Sequence, residues 1–137
     1  MTSKKRILNL IVALLMLSLA ALACGNGYRT TQKITGSSGE VRVRMNEGSG
    51  ISSTSVEINE EWSWTRVSST VVLSVESGSC QATLSGDEGT AITLQAAAGS
   101  PAQEYGDLVT DGFGDVQLQT DCQDARNLDL TISFSLQ

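Results

Sequence analysis

Residues 60–66 read Glu-Glu-Trp-Ser-Trp-Thr-Arg and hold both tryptophans of the chain. Successive side chains on an extended strand point to opposite faces. On a strand, Trp62, Trp64 and Arg66 would therefore share one face, with Glu60 on the same side. Two indole planes beside a guanidinium and a carboxylate form a surface on which a sugar ring can stack and bond its hydroxyls. Val56 and Ile58 have the same parity, so an unbroken strand would instead turn both indoles into the core. That arrangement would also carry Glu60 and Arg66 inward, which is costly without partners. Core packing, which the parity favours, and an exposed ligand platform both stand at this level.

Other chemistry is limited by what the chain lacks. There is no histidine, which removes Ser–His–Asp triads, Cys–His pairs and imidazole metal ligands. Glu60 and Glu61 are adjacent. On a strand they would point apart, unlike the facing carboxylates of glycoside cleavage. No catalysis and no cofactor are expected. Asp107, Asp111 and Asp115 lie around an Asp-Gly-Phe-Gly-Asp stretch, and Asp121 and Asp124 flank Cys122. Asp111 and Asp115 are weak calcium candidates, since calcium takes several loop oxygens. Their spacing does not match an EF-hand, and Asp-Gly pairs are what tight hairpin turns require without any metal.

The elements that must position these residues are strands. Val41, Val43 and Met45 alternate with Arg42 and Arg44. The same period of two recurs at Val56 and Ile58, at Val71, Leu73 and Val75, at Ala82 and Leu84, and at Ile92, Leu94 and Ala96. Val116 and Leu118 lead by that step to Cys122, and Leu128, Leu130, Ile132, Phe134 and Leu136 form the clearest run. Alternation of this kind marks strands with one buried face. Turn-forming stretches at 46–50, 76–79, 85–89, 98–101 and 110–115 separate the runs. Seven to nine short strands predict an all-β, two-layer antiparallel sandwich of immunoglobulin-like or jelly-roll-like kind. The inward parity of Cys80 and Cys122 places any bond between them across the two sheets or between neighbouring strand ends.

The first two dozen residues are different. Lys4, Lys5 and Arg6 precede an apolar run from Ile7 to Ala23, followed by Cys24, Gly25 and Asn26. A basic head, an apolar middle and a small-residue exit have the layout of an export signal. The exit, Ala21-Leu22-Ala23-Cys24, resembles the lipobox of bacterial lipoproteins, departing from it in having Ala21 where leucine is commonest. The resemblance implies a signal helix cleaved after Ala23, with diacylglycerol on the Cys24 thiol and acylation, as by palmitate, of the new amino terminus. Two or three acyl chains hold a protein at a membrane where one does not.

The organisation expected is therefore a signal peptide over 1–23, a lipidated cysteine and flexible tether over 24–39, and a sandwich over 40–137. Tyr28 to Thr35 is the part of the tether able to pair as a first strand. Beyond the leader, six basic and fifteen acidic residues leave a net charge of −9, and Lys33 is the sole lysine. That balance argues against nucleic acid and against a basic grip on anionic lipid. In the oxidising setting that export implies, Cys80 and Cys122 are expected to form one disulfide. The expected protein is a non-catalytic envelope lipoprotein on the extracytoplasmic face of a cell membrane or outer membrane. Its partners are the membrane, through the lipid, and a glycan or another envelope component; the alternative is a structural role through protein–protein contacts.

Overall fold

The computed structural model describes residues 28–137. The expected signal helix and Cys24 lie outside them. Among the described residues the strands are β1 (Arg29–Thr35), β2 (Ser38–Glu57), β3 (Arg66–Ser74), β4 (Ser77–Ser85), β5 (Ala91–Ala97), β6 (Ala102–Val109) and β7 (Asp115–Leu136). All pairings are antiparallel.

Two long strands, β2 and β7, serve both layers. Their halves 38–48 and 125–135 pair in the first layer, whose order is β1-β2-β7-β3-β6. Their other halves, 50–57 and 115–122, pair again in the second layer, which β4 and β5 extend from β7. The stretch 46–50, expected to be a turn between strands, is instead a bend within β2. There the register shifts between Gly48 and Gly50, and Gly50 has a φ of 80°. In β7 the matching bend uses Asp124 and Asn127, at φ 49° and 50°. Asp and Asn are among the few non-glycine residues that adopt this left-handed region readily. Buried positions in β7 advance by two from Val116 to Cys122, then by three to Ala125, by three again to Leu128, and by two to Phe134. The first of these steps carries one extra residue in β7, seen as the register shift opposite Gly48 and Gly50, and such a bulge is how a strand turns a corner from one sheet to another.

The inward side chains form one core. Val41, Val43, Leu73, Leu130 and Ile132 of the first layer meet Val56, Leu84, Leu94 and Leu118 of the second. Each such burial contributes about 1.5–3 kcal/mol. Cys80 and Cys122 are direct partners on β4 and β7 and are disulfide-bonded. The bond lies within the second layer rather than across the sandwich, because the chain topology sets the two inward positions side by side. At the amino-terminal end, β1 pairs with β2 from Arg29↔Arg44 to Thr35↔Ser38, so the ordered unit begins before residue 40.

Candidate functional site

The segment 60–65 is a loop, and the two tryptophans part company in it. After β2 the chain continues through buried Ile58 and Asn59, whose N–H groups both donate to the Gly114 carbonyl, at 3.0 and 3.2 Å. The Asn59 carbonyl accepts the Trp62 N–H at 2.9 Å, and its side-chain oxygen accepts the Glu61 N–H at 3.0 Å. A short polar side chain that bonds the following backbone diverts a strand into a turn. The alternation that would have placed Trp62, Trp64 and Arg66 in a row therefore ends at Asn59.

Trp62 turns inward, half-buried, and its ring meets Phe134 edge-on at 5.8 Å. Trp64 turns outward and is 68% exposed. Its φ is 48°, a conformation that costs a bulky residue roughly 1–3 kcal/mol. The loop 110–115 holds it there. The Trp64 N–H donates to the Asp111 carbonyl at 2.9 Å, and the Ser63 hydroxyl donates to the Gly112 carbonyl at 2.9 Å. Gly112 lies directly against the indole: a methyl group in place of its hydrogen would stand 2.9 Å from a Trp64 ring carbon. Beneath them Thr110 is fully buried, its hydroxyl donating to the Trp62 carbonyl and accepting the Thr65 N–H at 2.9 Å. Phe113, at the tip of the same loop, is 80% exposed.

The remaining expected site residues are dispersed. Arg66 opens β3 and points outward into ion pairs with Glu88 at 3.1 Å and Asp107 at 3.6 Å. Glu60 is exposed, with its backbone beside Gly114. Asp111 uses one carboxylate oxygen to accept the N–H groups of Phe113 at 2.8 Å and Asp115 at 3.0 Å, which is turn chemistry. Burial, and secondarily the negative charge of Asp111, raises the Asp115 carboxyl above its ordinary value. Among the described residues no group of three or more acidic or cysteine side chains is placed to hold a metal ion.

A second region escaped the sequence reading. A groove of about 820 Å³ crosses the outer face of the first layer. Its floor is the short hydroxyl side chains Ser38, Ser68, Thr70, Ser133 and Ser135, outward positions of the three central strands. Lys33 and Glu40, paired in register, stand on one side, and Tyr105 and Asp107 of β6 on the other. Tyr105 is 72% exposed and its hydroxyl accepts the Gln103 side-chain amide at 2.8 Å. Asp107 accepts the Gln137 amide at 2.7 Å, and the same amide nitrogen reaches the Ser68 hydroxyl at 3.0 Å. In the sequence these residues lie scattered between 33 and 137, and all but the terminal Gln137 are ordinary outward strand positions.

No protein-family model matches the chain, and no curated protein matches it. Several solved structures align with it at low identity. A carbohydrate-binding module of the CBM4 type is 10% identical, aligning 84% of this chain with 82% of that one at a TM-score of 0.38. The module CBM6cm-2 from Cellvibrio mixtus lichenase 5A, in complex with cellotriose, is 16% identical over 81% and 88% of the two chains, with a TM-score of 0.36. A Bacillus endospore appendage of a family of disulfide-linked pili is 18% identical over 83% and 96%, with a TM-score of 0.42.

Proposed function

We propose that this protein is a non-catalytic lipoprotein of the bacterial cell envelope, held by acyl chains on Cys24, whose sandwich binds a linear glycan. The observation that carries the reading is the groove on the first layer, with its hydroxyl floor and Tyr105 at the rim. Hydroxyls both donate and accept, as sugar hydroxyls do, so each can match the other in either direction. The floor sets these hydroxyls beside the Phe134 ring, the mixture of polar and apolar surface that a sugar ring also presents. Lys33 faces Glu40, and Asp107 faces Arg66, so the walls do not select a charged polymer. Five strands at about 4.8 Å spacing give a trough of roughly 19 Å, long enough for several sugar rings. Tyr105, fixed by Gln103, presents a ring for stacking.

A titration of isotope-labelled protein with neutral β-linked hexasaccharides tests this. Amide shifts should gather on the groove residues, and Tyr105→Ala should weaken binding by roughly ten-fold while leaving the fold intact, by analogy with base stacking on aromatics. Shifts elsewhere, or none across chitohexaose and neutral glucan hexamers, would refute the glycan reading. The anchor is tested separately by mass spectrometry of membrane-extracted protein, where an unmodified Cys24 or a retained leader defeats it. The assembly reading has one observation in its favour: among the described residues β1 is an edge strand with all seven residues exposed, a place where another chain can pair.

A further inference from the structure

We infer that the tip formed by Trp64 and Phe113 is an interaction surface for a cationic protein segment, one that presents arginine or lysine side chains. Three features of the tip converge on this.

The aromatics are exposed and preorganised. Trp64 is held in a left-handed conformation by its backbone bond to Asp111, and its indole lies against Gly112 with most of its surface open. Strain of this kind persists only where surrounding structure enforces it, and it is concentrated at functional positions. A bulky side chain kept both strained and wet contributes little to the core. That part is played by its neighbour Trp62.

The charge around the aromatics is one-sided. Glu60 and Glu61 belong to the same loop as Trp64, and Asp111 and Asp115 bracket Phe113. The nearest basic residue in sequence, Arg66, is already engaged by Glu88 and Asp107. An indole face attracts a cation through its quadrupole, and the negative charge carried by the same two loops adds to the attraction. The same acids repel an anionic bilayer surface.

The carboxylates also choose among cations. Guanidinium and ammonium groups donate hydrogen bonds to carboxylates, and guanidinium stacks on aromatic rings as well. A quaternary ammonium has no donor to give them, and it is typically held in a closed aromatic cage rather than on an open tip. A basic peptide segment satisfies both the rings and the acids.

The test uses the full chain in neutral detergent, with the Trp64 indole N–H observed by nuclear magnetic resonance. The probes are acetylated tri-arginine amide and the isosteric, uncharged tri-citrulline amide. Tri-arginine should shift the Trp64 signal saturably and tri-citrulline should not. The effect should fade at 1 M salt, where the screening length falls to about 3 Å. Trp64→Gly, which suits the left-handed backbone and is followed through the backbone amides of Gly112 and Phe113, and the double variant Glu60→Gln with Glu61→Gln, followed through the indole, should each weaken binding roughly ten-fold. Equal shifts from both peptides, or none from tri-arginine, would overturn the inference. A response at Trp64 to neutral hexasaccharides alone would assign the tip to the glycan instead, whereas failure of the groove titration leaves this result standing on its own.

Discussion

Gly114 is the position where a single methyl group should do most damage for its size. Its φ is 78°, and a Cβ built there would sit 1.8 Å from the Asn59 carbonyl oxygen. The left-handed conformation alone costs a non-glycine residue about 1–2 kcal/mol. The overlap is with backbone, so it can be relieved only by moving the two loops apart. That movement breaks the bonds from the Ile58 and Asn59 N–H groups to the Gly114 carbonyl, at 3.0 and 3.2 Å. Each is worth about 1 kcal/mol. Gly114→Ala should therefore lower stability by about 3–4 kcal/mol. Gly99 supplies the control, since its φ is 75° but a Cβ there meets nothing within 4 Å. Gly99→Ala should cost only the conformational part, about 1–2 kcal/mol. Urea unfolding followed by tryptophan emission measures both. The Gly114→Ala midpoint should fall by roughly 2 M for a slope near 2 kcal/mol/M, and native emission should redden as Trp62 is wetted. Equal midpoints for the two variants would refute the argument that the loops are clamped at Gly114.

Three further outcomes are expected. Trp64→Gly should be more stable than Trp64→Ala by about 1 kcal/mol, the reverse of the usual order, because only alanine bears the left-handed penalty; equal urea midpoints would contradict the strain. Replacing Cys80 and Cys122 together by alanine should cost about 4 kcal/mol on the chain-entropy model, read from the same unfolding curves, with no loss counting against it. The hydrogen-bonded guanidinium of Arg42 holds the Asp129 carboxyl below its ordinary value, with burial opposing and the charges of Arg42 and Arg44 assisting. A carboxyl lowered by folding stabilises above the ordinary carboxylate range, and that contribution is lost as the pH falls through its folded value. Asp129→Asn should thus unfold more easily than the parent at neutral pH, and the two stability curves should converge in acid. Parallel curves would show the pairing to be energetically idle.

The alternation from Leu128 to Phe134, and its counterparts along the chain, was sufficient to establish strands, inward faces and a two-layer architecture. Burial on one side of a strand has a period of two whatever the strand's neighbours are. The disulfide was expected from a pair of cysteines in a chain read as exported, although its place within one layer needed the β4–β7 register. Glycine, Asp and Asn at positive φ look the same locally whether they close a hairpin or bend a continuous strand. Only pairing partners far along the chain made residues 46–50 and 124–127 corners inside β2 and β7. The tryptophan segment shows the same limit. Its types and spacing singled it out, but the Gly114 carbonyl, supplied by a loop some fifty residues away, and the Asn59 side chain ended the strand and sent Trp62 inward and Trp64 outward. The groove was invisible for a related reason. Ser38, Ser68, Tyr105 and Ser133 become neighbours only because β2, β3, β6 and β7 pair in one sheet, and a solvent-facing serine carries no local mark of what the pairing will set beside it.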